Sequence, residues 1–398
     1  MNSPNASYIA AVDHLRAIAA FLVILHHGHL HIGGRLVYET PNVPYRADAV
    51  TPLDALIVDG HTGVSLFMVL SGFIFTHIAL GRGVRFLPFM ANRVLRIYPL
   101  MLFLFVLAWF MRPQFVDWTG LAAVLLIPFN LQQPVDLWFV PSVHPFTALF
   151  WTIAVEFKFY LLFPAILLVV NRYGARGVVA MLAGAIVLRA LLVLGGANAH
   201  DVGYFTIFGR VDQFLLGAGA ALAYRRVPRG RGGAICAASF TAVALLVYAY
   251  NQAGSQPAQG AWKILWPTVE GLAWAAFIVG YLDYAARIPR RLAGAMAFMG
   301  KVSFSVYLVH LIAISAVLRS GPVALGLGPT LDALVYTLGF VLPATLAVSW
   351  VTFHAVEQPF LRLRVRYLRD EPARRGEAPE SGRPAGAEAA RLTPSTTG

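Results

Sequence analysis

Residues 12–31 read VDHLRAIAAFLVILHHGHLH, and this stretch decides how the chain is interpreted. It is apolar over roughly the ~20 residues that a bilayer span requires. Yet it carries Arg16 near its start and His26 and His27 near its end. A charge and a titratable ring on such a helix default to a functional role with a partner to be found. His27 follows Arg16 by eleven residues. At about 100° and ~1.5 Å per residue, the two share a face with roughly 16 Å between them along the axis. His26 falls on another face. Asp13 offers Arg16 a local ion pair three residues away, which accounts for the arginine but leaves the histidines unexplained.

Composition sets the class. Of 398 residues, 58% are hydrophobic and 13% charged, with a mean hydropathy of +0.66. Soluble chains carry about 25% charged residues, so the reading is an integral membrane protein. Apolar blocks at 8–27, 61–80, 97–112, 147–170, 177–195, 203–224, 234–251, 263–283, 302–319 and 331–353 imply an all-α bundle of about ten spans. The net charge is +12, mostly arginine in clusters between blocks. That is the pattern of membrane orientation rather than of nucleic-acid binding. Arg82, Arg85, Arg93 and Arg96 flank one connection, Arg225 and Arg226 another, and Arg362, Arg364, Arg366 and Arg369 follow the last block. The intervening connections are poor in bases: residues 28–60 hold two arginines against four acids. All Arg-rich connections fall on the cytoplasmic side if the short block 119–129 is re-entrant or interfacial, which places both termini inside. The expected domains are a membrane unit over 1–367 and a disordered cytoplasmic tail over 368–398, rich in Pro, Gly, Ala, Glu and Arg. Cys236 is the single cysteine, and no Cys–His metal spacing or phosphate-loop fingerprint occurs.

Several further stretches can carry chemistry. GVSLFMVLSGFIF (63–75) is broken by Ser71-Gly72, which suits close helix packing; Ser71 as a nucleophile has no base beside it in sequence. Arg93 and Arg96 lie at i and i+3 and present two guanidinium forks on one face, apt for phosphate. FWTIAVEFKFYLLFP (150–164) places Thr152, Glu156 and Tyr160 on one stripe. There Glu156 can orient an imidazole or pair with an arginine such as Arg16, and Lys158 points elsewhere and can snorkel. SFSVYLVH puts Ser303, Tyr307 and His310 on one face of the ninth block. Arg210 and Asp212 form a local polar network that Arg189 and Glu270 can join, and Glu357-Gln-Pro359 ends the last span.

Taken together, these stretches resemble the membrane-bound acyltransferase 3 family of bacterial O-acyltransferases. The resemblance rests on Arg16-x10-His27, GVSLFMVLSGF, Arg93-x-x-Arg96 with IYP, WTIAVEFKFYLLFP, GRVDQFLLG, SFSVYLVH and VEQPF, in that order along the chain. It departs from the family's Trp-Ser-Leu pattern in reading Trp-Thr-Ile before Glu156. The resemblance implies ten spans in the bacterial inner membrane and no permanently bound cofactor. It implies acyl-CoA, usually acetyl-CoA, as a co-substrate reached from the cytoplasm, and a hydroxyl acceptor, usually on a sugar; a lipopolysaccharide, an exopolysaccharide, a membrane glucan, a lipo-oligosaccharide and a secondary metabolite all fit. It makes Arg16, His27 and Glu156 the catalytic set, with Arg93, Arg96 and Ser71 on the donor side. Ser303, Tyr307, His310, His26, Arg210 and Asp212 remain substrate-binding or supporting candidates. Trp138, Phe139 and Trp151 are candidates for stacking on a sugar. A transporter that exports a glycan or acyl group without transfer chemistry is the competing class, and an envelope scaffold a third.

Overall fold

Inside a bilayer no water is present to satisfy backbone N–H and C=O groups, so the apolar blocks must close their hydrogen bonds within themselves. In the computed structural model they do so as helices. The structure describes residues 5, 8–39, 44–111, 113, 118–126, 144–228, 230–258 and 260–369. Among these the regular structure is helical, apart from one isolated bridge between Val84 and Leu368.

Six helices are long and apolar enough to cross a membrane: Ala10–Tyr38, Thr62–Ala79, Phe86–Met111, Phe150–Leu194, Gly232–Gln252 and Pro329–Leu361. A seventh is added if Arg290–Lys301 and Ser303–Arg319, bent by 78°, count as one span. Length and composition therefore support fewer crossings than the ten apolar blocks. Two blocks, 147–170 and 177–195, are the arms of one continuous element broken at Gly174, whose φ of 58° favours glycine. Two others form Ile207–Tyr224 and Trp266–Tyr284, which are as long as Thr62–Ala79 but carry buried polar side chains such as Arg210, Asp212, Gln213 and Glu270 that lower their apolarity. Of block 119–129, the helix Trp118–Leu125 and Leu126 are described, with Tyr98 donating to the Leu125 carbonyl; residues 127–129 lie outside the described residues. Trp138, Phe139 and the tail from 370 onward also lie outside them.

The first helix, Ala10–Tyr38, is the hub. It packs on Thr62–Ala79, Arg290–Lys301, Ser303–Arg319 and Pro329–Tyr336. Glycine makes the tightest approaches. A Cβ on Gly72 would lie 2.0 Å from the Phe214 carbonyl oxygen, and one on Gly217 would lie 2.0 Å from that of Val69. Helices Thr62–Ala79 and Ile207–Tyr224 thus cross with their backbones touching, as small residues permit. The ring of Phe159 stacks on Phe214 at 4.0 Å beside this crossing. Two polar ladders are sealed in the same region. Arg189 donates to Asp212 at 2.8 Å, both fully buried, and Arg210 donates to Ser65 at 2.9 Å and lies 4.0 Å from Glu270. Arg189 and Glu270 therefore take separate partners. Lys158 is buried rather than snorkelling, and Trp151 is buried against Tyr204 and Phe205.

Asn5 ties the segment before the first helix to the segment after the last span. Asn5 donates to the Val365 carbonyl and accepts from the Tyr367 amide.

Candidate active site

A cavity of about 1240 Å³ opens between these helices. Arg16, Ser71, Arg93, Arg96, Glu156, Ser303 and Tyr307 all line it. They come from five helices separated by hundreds of positions in the chain, and the packing around the first helix brings them together. Arg82, Arg225, Lys301, Arg362 and Arg364 also face this space, while Asp13 and Glu156 are the acidic side chains that line it. The field inside is therefore strongly positive, as suits an anion with several phosphates.

The cationic groups are not equivalent. Arg16 is held by Asp13 at 2.8 Å, the local pair that the spacing allows. Arg96 donates to Glu357 at 2.9 Å, and Glu357 also accepts from Ser305, which in turn accepts from Thr352. Arg93 has no carboxylate partner among the described residues. Its guanidinium lies over the rings of Phe75, Phe89 and Tyr160, 4.8–5.6 Å from their centroids. Its Nε is buried without a hydrogen-bond partner, as is that of Arg364. Burial, together with repulsion from Arg96, Arg93 and Arg16, pushes the Arg364 guanidinium down to about 9.

Glu156 accepts hydrogen bonds from Ser71 and Tyr160. Neither pairing open to it from sequence, with an imidazole or with Arg16, is present. Gly72 takes up the packing against Phe214, which leaves Ser71 free to reach the carboxylate.

His26, His27 and His310 do not line the cavity. Tyr307 and Phe67 line its wall and contact each other edge to face, with ring centroids 6.0 Å apart. One turn after Tyr307 comes His310, buried, its Nε2 2.9 Å from Nδ1 of His27. His310 Nδ1 faces the Val306 carbonyl at 3.2 Å. A carbonyl only accepts, so a neutral His310 carries its proton on Nδ1 and accepts through Nε2. His27 must then donate from Nδ1, which leaves the lone pair on its Nε2. His27 is half-buried and stacks near His31 at 6.0 Å. His26 is buried, and its Nδ1 donates to the Val58 carbonyl at 2.6 Å. His26 thus supports the helix junction, while His27 is the more accessible ring. Arg210 and Asp212 sit in the sealed ladders and do not line the large cavity.

Two participants, Glu357 and Arg364, escaped the sequence reading, and the pairing of a third, the candidate His310, did too. His310 as the partner of His27 had a signal, its place on the Ser303–Tyr307 stripe, but no indication of what it would meet. Glu357 was legible only as a helix end, and Arg364 only as one of many orientation-setting arginines.

Apolar helices packed around a cationic pocket, with a pair of contacting histidines behind an aromatic wall, are those of a multi-helix membrane protein. The chain matches the acyltransferase 3 family model, an acyltransferase domain, over residues 9–354, and it belongs to that family. It is a multi-pass membrane acyltransferase. No curated protein and no solved structure matches the chain.

Proposed function

We propose that the protein moves an acyl group, most simply acetyl, from acyl-CoA in the cytoplasm to a hydroxyl of a cell-surface or exported glycan. It does so from the bacterial inner membrane, with ten crossings and both termini inside. The observation that carries this reading is the 2.9 Å contact of His27 Nδ1 with His310 Nε2, beside the Val306 carbonyl at His310 Nδ1; for neutral rings this contact commits His27 Nδ1 to donating and puts the lone pair on its Nε2. In the proposed reaction Nε2 takes the proton of the acceptor hydroxyl as its oxygen attacks the thioester carbonyl. The C–O bond forms, the C–S bond breaks, and the proton passes to the departing CoA sulfur. Arg16 acts from the cavity side, where it orients the thioester arm or stabilises developing negative charge. The cationic cavity takes the phosphates, and Phe67 and Tyr307 stand where the arm must pass to reach His27.

The test is transfer of labelled acetyl from acetyl-CoA to glycan in proteoliposomes. His27→Ala is expected to lose about 10²–10⁴-fold in kcat, the usual share of a general base. Undiminished transfer in that variant would overturn the assignment. A wild-type protein that binds CoA and leaves the thioester intact in the presence of acceptor would favour the transporter class.

A further inference from the structure

The segment that follows the last span is built into the cavity wall. Asn92 holds Val365 from both sides, accepting from its amide at 2.9 Å and donating to its carbonyl at 2.7 Å. The Arg85 amide donates to the Tyr367 carbonyl, and the Arg369 amide donates to that of Gly83. The Tyr367 ring is buried edge-on against Phe89, one of the rings that cage Arg93. Residues 362–369 thus form a strap fixed by backbone bonds to the start of Phe86–Met111 and to Asn5. The strap carries Arg362 and Arg364 into the cavity.

We propose that Arg364, on this strap, and Arg93 together form the clamp for the donor's phosphates, with Arg96 held back by Glu357. The inference rests on the acyl-CoA reading of the cavity. Arg93 and Arg96 are the pair that spacing suggests, but their partners divide them. Arg96 already meets a carboxylate, whereas Arg93 and Arg364 have none among the described residues and each keeps a buried, unpartnered Nε. Glu357, already bonded to Arg96, is the carboxylate that Arg364 feels at longer range, so the crowded guanidiniums of Arg93 and Arg364 still repel one another, and a phosphate between them relieves that repulsion while supplying bidentate acceptors. The strap's backbone bonds do not involve the Arg364 side chain, so its removal leaves the strap in place.

Calorimetric titration of the full-length protein, in nanodiscs of zwitterionic lipid, tests this with CoA as the probe. Arg364→Ala and Arg93→Ala are each expected to weaken CoA at least about tenfold, the size of one charge-assisted pair. Asn92→Ala keeps both arginines but frees the strap, and it is expected to weaken CoA as well. It also covers the case in which Arg364→Ala fails to fold. CoA affinity within twofold of wild type in Arg364→Ala overturns the clamp. So does Arg364-dependent retention of phosphatidylglycerol in mixed-lipid discs with CoA binding unchanged. A wild-type protein that ignores CoA but binds inorganic pyrophosphate through Arg364 would sink the donor reading and uphold the clamp.

Discussion

Replacing His310 by Phe removes the acceptor that dictates the His27 tautomer while filling the same buried space. The size of the effect follows from what that contact becomes during reaction. In the resting site the 2.9 Å bond joins two neutral rings. Once His27 takes the acceptor's proton, the same N–H belongs to an imidazolium, and hydrogen bonds to charged groups contribute about 1.5–3 kcal/mol. At ~1.4 kcal/mol per tenfold, kcat is expected to fall about 10- to 140-fold. KM for acyl-CoA should hold, because the arginines proposed to take the phosphates line a cavity that His27 and His310 do not. His310→Gln is the discriminating companion: its side-chain oxygen can accept from His27 Nδ1, so it should recover part of the loss. The assay is steady-state acetyl transfer in proteoliposomes, with circular dichroism and melting to confirm that each variant is folded. A folded His310→Phe within twofold of wild-type kcat would refute the reasoning. Equal loss in the Phe and Gln variants would refute it too, since hydrogen bonding would then not be what His310 supplies.

The ion pair at the cavity floor gives a stability test. Glu357 is 1% exposed and Arg96 20%, so Arg96→Ala strands the more deeply buried charge. It should cost about 3 kcal/mol, more than Glu357→Ala, and the double variant should recover part of that loss in thermal melts. Gly72→Ala forces the Phe214 backbone away from a 2.0 Å contact and should cost about 1–3 kcal/mol, whereas Gly219→Ala meets only a 3.6 Å contact and should melt like wild type. Tyr160→Phe and Ser71→Ala each remove one donor to Glu156; together they should lower transfer more than either alone, measured as kcat. On the opposite end of the bundle, burial pushes Lys263 down to about 8 while it donates to the Ser255 and Gln256 carbonyls. Between pH 8 and the ordinary lysine value near ~10.4 the unfolded chain binds more protons than the folded one, so stability should rise with pH across that window. Lys263→Met should flatten the rise in melting temperature.

Much of the candidate site was readable because the membrane makes polarity conspicuous. Arg16, His27, Glu156 and His310 stand out in runs where each charge or ring is costly, and helical periodicity places them on definite faces. The Arg16–Asp13 pair was legible for the same reason, being local along one helix. Block counting gives ten stretches, and six or seven helices meet length and apolarity together, because Ile207–Tyr224 and Trp266–Tyr284 are diluted by buried polar side chains and the two arms around Gly174 form one element. Pairing between helices was not legible. Nothing in the order of residues says that Glu357 answers Arg96 across 261 positions, that Glu156 turns to Ser71, or that His27 and His310 share a proton across 283.

By itself, then, the sequence determined a helical membrane protein and a short roster of polar side chains facing its interior. Composition and period alone dictate those, since they are properties of single segments. Only the tertiary structure decided which of those side chains meet. The glycine crossings and the strap at 362–369 set the distances between helices, and hydrogen bonds reach only about 3 Å. Arg16 and His27, on one face of one helix by periodicity, accordingly end in different surroundings: one faces a cationic cavity of about 1240 Å³, the other the ring of His310.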